Sequence, residues 1–138
     1  MISTLVDTNV LIDMLGPASR QRMWSLKALE QCIADGMLVI NAVIWSELAS
    51  SSLTETELNS SFGMLSLKRE ALPFEVAFAA GKAHRRYRLA GGMRERTLPD
   101  FLIGAHAAIG GHRLLTRDGP RYSSYFPTVA LITPETHP

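Results

Sequence analysis

The feature that most constrains this chain is its first apolar run, Ile2 to Val6, which breaks off at Asp7-Thr8-Asn9. Such a run is too short for a helix and the right length for a buried strand. Three polar residues in succession stop a strand and open a helix. A carboxylate at that point stands on the C-terminal edge of a parallel strand, where open α/β sheets bind ligands and metals. A simple N-cap accounts for Asp7 as well. The choice depends on whether other carboxylates reach the same edge.

The remaining chain alternates helical and strand-like stretches. Helices are expected over Val10–Leu15, Ala18–Asp35, Asn41–Ser50, Thr54–Leu67, Pro73–Ala90 and Thr97–Ile109. Thr54 with Glu57 forms a capping box, and Gly-Gly pairs at 91–92 and 110–111 end the last two. The Phe101–Ile109 body is almost wholly apolar and small, which predicts a central, closely packed helix. Strands fit Met37–Ile40, Arg69–Leu72, Arg113–Leu115 and Val129–Ile132. Strands separated by helices pair in parallel through right-handed crossovers. The expected fold class is α/β: a three-layer α/β/α sandwich with a central parallel sheet of four to five strands, one domain over residues 1–138.

Composition excludes several classes. No apolar stretch approaches the ~18 residues of a membrane span. The chain runs from Met1 straight into strand-like sequence without a signal-peptide pattern, so a cytoplasmic protein is expected. Cys32 is the only cysteine, which rules out an internal disulfide and a thiolate zinc site. The net charge of +1 conceals an asymmetry: residues 82–96 hold six Lys/Arg against Glu95, leaving the rest of the chain at −4. A basic segment on a mildly acidic body predicts a polyanionic partner.

The surplus acids fall in suggestive places. Asp7 follows Leu-Val and Asp118 follows Leu-Leu-Thr-Arg, so two parallel strands deliver both to one edge. Asp100 sits in the first turn of an apolar helix, and Glu47 lies between Trp45 and Leu48. Each has a plain alternative: a helix dipole for Asp100, a turn for Asp118 before Gly119-Pro120, solvent for Glu47. Asp13, Asp35, Glu55 and Glu57 are assigned to solvated faces or caps. Four converging carboxylates repel one another unless a cation intervenes. Mg²⁺, or Mn²⁺ in its place, takes such oxygen ligands and activates water against a phosphoryl group.

Together the stretches Leu-Val-Asp-Thr-Asn, Trp-Ser-Glu-Leu, Leu-Pro-Asp-Phe-Leu-Ile-Gly-Ala-His-Ala and Leu-Leu-Thr-Arg-Asp-Gly-Pro-Arg-Tyr resemble the PIN-domain family, and within it the VapC toxin branch. The resemblance spans nearly the whole chain. It implies a metal-dependent endoribonuclease that is the toxin of a toxin–antitoxin pair. By that likeness Asp7, Glu47, Asp100 and Asp118 form the acidic site, with Asp7, Asp100 and Asp118 as metal ligands and Asn9 and Thr116 as polar helpers. It further implies a homodimer, and a hetero-oligomer with a small VapB-like antitoxin through which alone DNA is bound. Where some members carry another acid after the last motif, this chain has Arg117 and Arg121.

Hydrolysis of RNA by a metal-activated water is the expected reaction, with Glu47 positioning or deprotonating that water or completing a weak second metal site. Arg85, Arg86, Arg94, Arg96, Arg117 and Arg121 are the expected RNA contacts. Of Tyr87, Tyr122 and Tyr125, core packing is expected for at least two. A haloacid dehalogenase-type phosphatase needs a second Asp where Asn9 stands. An antitoxin-independent ribonuclease of RNA processing or decay, and a non-catalytic RNA-binding PIN module, are the alternatives.

Overall fold

The computed structural model describes residues 2–138. Five strands, β1 (Ile2–Val6), β2 (Gly36–Ile40), β3 (Lys68–Arg69), β4 (Arg113–Leu115) and β5 (Leu131–Ile132), form one parallel sheet in the order β3-β2-β1-β4-β5. Seven helices cover it among the described residues: α1 (Thr8–Leu15), α2 (Arg20–Asp35), α3 (Ala42–Ala49), α4 (Glu55–Phe62), α5 (Phe74–Leu89), α6 (Leu98–Gly110) and α7 (Pro120–Ser123). This is the α/β/α sandwich expected, with five strands. No helix among the described residues is long and apolar enough to cross a membrane.

The central strand is the N-terminal one. Leu5 and Val6 are fully buried, flanked by Val39 and Leu115. Gly36 is required there: a Cβ would lie 2.0 Å from the carbonyl oxygen of Ile2, so any side chain would push β2 off β1. From β1 the chain steps one way to β2 and β3, and β4 and β5 lie on the other side. The order reverses between β1 and β4, which opens a crevice beyond their C-terminal ends.

Helix α6 packs along α5 and over β4, burying Phe101, Ile103, Ala105 and Ala107 to 1% exposure each. A Cβ on Gly104 would meet the Phe126 ring at 2.3 Å, so this helix is as close-packed as its small residues predict. Phe101 also contacts the rings of Tyr87 and Tyr125 at centroid distances of 5.6 and 5.5 Å. Burying a side chain of that size contributes about 2–3 kcal/mol.

Two strands differ from expectation. β3 is Lys68–Arg69 rather than 69–72, and β5 is Leu131–Ile132 rather than 129–132. Both lie at sheet edges, where pairing with one neighbour sets the limits. Helix α4 stops at Phe62 and tightens into a 3₁₀ turn, Gly63–Leu65, before Ser66 adopts a left-handed backbone at φ 50°.

Candidate active site

Asp7 follows directly on β1 and is 3% exposed. Its Oδ1 accepts the Thr8 amide at 2.7 Å and so caps α1. Its Oδ2 accepts the hydroxyls of Thr116 and Tyr122, both at 2.8 Å, with Asn9 Nδ2 at 3.4 Å. The cap and the site therefore use different oxygens of one carboxylate. Every donor is neutral. Burial pushes the Asp7 carboxyl above its usual range against the pull of hydrogen bonds from Tyr122, Thr116 and Thr8, and the Glu47 charge adds to the rise. Burial and the Asp7 charge drive the Tyr122 phenol far up, which keeps it protonated and donating.

The other acids arrive at the same edge. Asp100 is buried, and its Oδ2 accepts the amide and hydroxyl of Thr97 at 2.9 and 3.3 Å, capping α6. Its Oδ1 faces Arg121 Nη1 at 3.4 Å. Asp118 lies just past β4: its amide donates to Thr116 Oγ1 at 3.0 Å, and its Oδ2 lies 2.9 Å from Arg121 Nη2. Glu47 on α3 accepts the Thr8 hydroxyl at 2.7 Å. Asn9 Nδ2 reaches Thr116 Oγ1 at 3.3 Å, and Asn9 Oδ1 accepts the Arg117 amide at 3.2 Å. Asp7, Asn9, Glu47, Asp100, Thr116 and Asp118 thus share one linked cluster at the crevice.

The basic residues divide. Arg85, Arg86 and Arg94 are exposed. Arg96 lies over the rings of Tyr87 and Tyr125, at 5.6 and 5.8 Å, and donates to Ser124 Oγ at 2.7 Å. Among the grooves it lines are one of about 580 Å³ with His84, Tyr87, Arg88 and Arg94, and one of about 270 Å³ with Glu95, Asp118 and Arg121. Arg85 and Arg86 line neither. Arg117 pairs through Nε with Asp13, which also accepts the Ser25 hydroxyl. Asp13 is therefore no solvated residue: its side chain is 8% exposed, because α1 turns it toward α2 and the loop after β4. Tyr87 and Tyr122 are core residues.

Thr8, Tyr122 and the pairing role of Arg121 have no signature in the sequence, since each depends on contacts made across the fold. A second cluster has none either. Glu70 Oε1 lies 2.8 Å from the Nε2 atoms of both His106 and His112. Asn41 Oδ1 caps α3 at the Ile44 amide, so its amino group faces His106 Nδ1 at 2.9 Å. That fixes the His106 proton on Nε2, where it is donated to Glu70. Ser3 Oγ bonds His112 Nδ1. Among the described residues, only Glu70, His106 and His112 bring three ligand atoms within 4.8 Å of one another. Yet His106 offers no free lone pair there, and the three form a closed hydrogen-bonded set.

The aspartates are set wider and remain short of positive charge. Their donor set is all carboxylate oxygen, the chemistry of a hard divalent cation. A cation stands between two of them, the Arg121 guanidinium, while buried Asp7 has no cationic hydrogen-bond partner among the described residues. The residues fit such an ion.

A family model described as PIN domain matches residues 4–120. Among solved structures, the chain is similar to VapBC2 from Rickettsia felis bound to a promoter DNA fragment, at 17% identity and TM-score 0.72, over 96% of this chain and 98% of that one. It is similar to a toxin–antitoxin complex from Klebsiella pneumoniae at 23% identity and TM-score 0.69, over 95% and 97% of the two chains. FitAcB from Neisseria gonorrhoeae matches at 21% identity and TM-score 0.66, over 96% and 98%. At these identities the likeness is one of fold. No curated protein matches the sequence.

Proposed function

The chain belongs to the PIN-domain family, and from that premise we propose that it is a divalent-metal-dependent endoribonuclease, the toxin of a toxin–antitoxin pair. The observation that carries this reading is the linkage of Asp7, Asp100 and Asp118 at the β1–β4 crevice through Thr116 and Arg121, which among the described residues is the one arginine paired with any of them. Those three aspartates would hold Mg²⁺ or Mn²⁺. Bound there, such an ion supplies a Lewis acid that polarises a phosphoryl oxygen and acidifies a water.

The chain's own residues do the rest. Tyr122 and Thr116 hold the Asp7 carboxylate in one orientation. Thr97 fixes Asp100 in the same way. The Thr8 hydroxyl aims the Glu47 carboxylate, which orients the attacking water and takes its proton. Arg96 connects the basic groove beside α5 to the groove at Asp118, a path along which a phosphodiester backbone is led to the acids. Arg94 sits at the same groove, and exposed Arg85 and Arg86 add to the attraction of RNA from a distance.

A small antitoxin as partner is supported by the toxin–antitoxin complexes among the structural neighbours, several of them bound to DNA. By extension the protein assembles as a homodimer, joins its antitoxin in a hetero-oligomer that carries the DNA contacts, and works in the cytoplasm. Met23, 61% exposed beside a groove of about 430 Å³, offers apolar surface to such a partner.

The test is cleavage of total cellular RNA by the wild type and by Asp100→Asn, each with Mg²⁺, Mn²⁺ or EDTA. Asparagine retains an oxygen to cap α6, so the variant should fold. Cleavage by the wild type that EDTA and the substitution both abolish is expected. Cleavage that survives either one would overturn the metal assignment. Coexpression of a small neighbouring gene product that relieves toxicity would establish the partner.

A further inference from the structure

Arg121 is expected from sequence to point at substrate, yet its guanidinium lies against the acids. Nη2 is 2.9 Å from Asp118 Oδ2 and Nη1 is 3.4 Å from Asp100 Oδ1. Gly119-Pro120 opens α7 directly after Asp118, and a single turn brings Arg121 back over it at i+3. The side chain is 36% exposed, so one side of it remains open to solvent. An arginine keeps its charge at any accessible pH, and here the two carboxylates strengthen that hold against the effect of burial.

Resting on the reading of these acids as metal ligands, we infer that Arg121 is an internal counter-ion which a divalent cation must displace, so that metal affinity is set by competition with this one side chain. The geometry favours the exchange. Ligand oxygens about 2.0–2.1 Å from one Mg²⁺ lie within about 4.2 Å of each other. Here no three acidic or histidine groups of the aspartate cluster meet within 4.8 Å, and the guanidinium is wedged between Asp100 and Asp118. The fork holds Asp100 Oδ1 and Asp118 Oδ2, and a cation drawn to those same two oxygens competes with it for their charge. Displaced, Arg121 remains tethered at the groove it lines with Arg96 and Asp118, positioned to meet a phosphate. Occupation by metal and readiness for an anionic substrate are thereby coupled.

Arg121 acts here as a positioning residue, and calorimetric titration of Mn²⁺ into the metal-free full chain reads its effect without any turnover. Wild type, Arg121→Gln, Arg121→Lys and Asp100→Asn are compared. Arg121→Gln is expected to bind Mn²⁺ roughly five- to tenfold more tightly, the scale of losing a partly exposed charge competitor. Arg121→Lys, which keeps the charge, should stay near wild type, and Asp100→Asn should lose binding. Equal or weaker binding by Arg121→Gln, alongside a wild type that binds, overturns the inference and leaves the metal site standing. No binding by any folded variant removes the site itself. Should Arg121→Gln fail to fold, the arginine Nε resonance of the wild type answers the same question. It should move on addition of Mg²⁺, and a signal unmoved at saturation overturns the competition.

Discussion

Glu70 and Asp7 are both drawn into polar clusters beneath helices, and they are satisfied in opposite ways. Glu70 takes its hydrogen bonds from His106 and His112, groups that can themselves become cations. Burial alone would push its carboxyl up, but those two imidazoles hold it below the usual glutamate range. Asn41 and Ser3 close the outer ends of the chain of bonds. Asp7 receives only an amide, a side-chain amide and two hydroxyls, and its carboxyl is pushed up. The first cluster is complete within the protein. The second has its hydrogen bonds and lacks its charge. A buried carboxylate that is hydrogen-bonded yet short of a cation is a place where something from outside belongs.

Asp7→Asn should break this contrast most forcefully. On the proposal that Asp7 holds a metal, the substitution is expected to lower RNA cleavage by more than about a hundredfold, since outer partners alone are worth 10–100-fold. Stability should move the other way. A carboxyl raised in the folded state favours folding fully below its ordinary value of 3.8, and that advantage is lost as pH rises through the raised value. At neutral pH in EDTA the asparagine protein, free of that charge, should melt at or above the wild-type temperature. A clear drop in melting temperature would make Asp7 a structural residue first.

Glu70→Gln sharpens the comparison through the opposite sign. Its carboxyl is lowered on folding, so it contributes stability above the ordinary glutamate value of 4.5 and loses that contribution as pH falls through the folded value. The variant should be less stable than wild type at pH 7, with the gap narrowing below about pH 4.5 in urea titrations. Its cleavage per folded molecule should not change. A gap independent of pH would mean that the histidines do not sense the Glu70 charge.

Thr8→Val is the mildest probe. It removes one hydroxyl from Glu47 with little change in shape, and roughly a tenfold loss in kcat is expected, the scale of a hydrogen bond to a charged group. Mn²⁺ affinity should stay put. If affinity falls instead, Glu47 is a ligand and not a guide for water.

The open cluster was also the more legible one in sequence. Asp7 ends a strand-length run, Asp100 begins an apolar helix and Asp118 follows another short run, so local pattern placed all three near one edge. The closed cluster left no trace, because Glu70 lies 36 and 42 residues from its histidines and nothing in their spacing repeats. Asp13 misled for a similar reason, its partner Arg117 lying 104 residues away. The edge strands were blurred because two-residue strands carry no alternation; β3 exists through its register with Val39 and Ile40. Arg121 shows the remaining limit: sequence gave its charge and its neighbourhood, and only the turn of α7 gave its direction.

The central place of β1 has a consequence for how the molecule comes into being. The strand is made before both of its neighbours and sits between one that follows early and one that follows late, with Leu38 and Val39 on one side and Leu114 and Leu115 on the other. Asp7 meets Thr116 and Tyr122 across 109 and 115 residues of chain. Contacts that distant form slowly and cannot form at all on a partial chain. A nascent polypeptide therefore carries Asp7 well before its partners but cannot complete its surroundings until residue 122 has emerged. The assembly order itself keeps an unfinished chain from having a finished site.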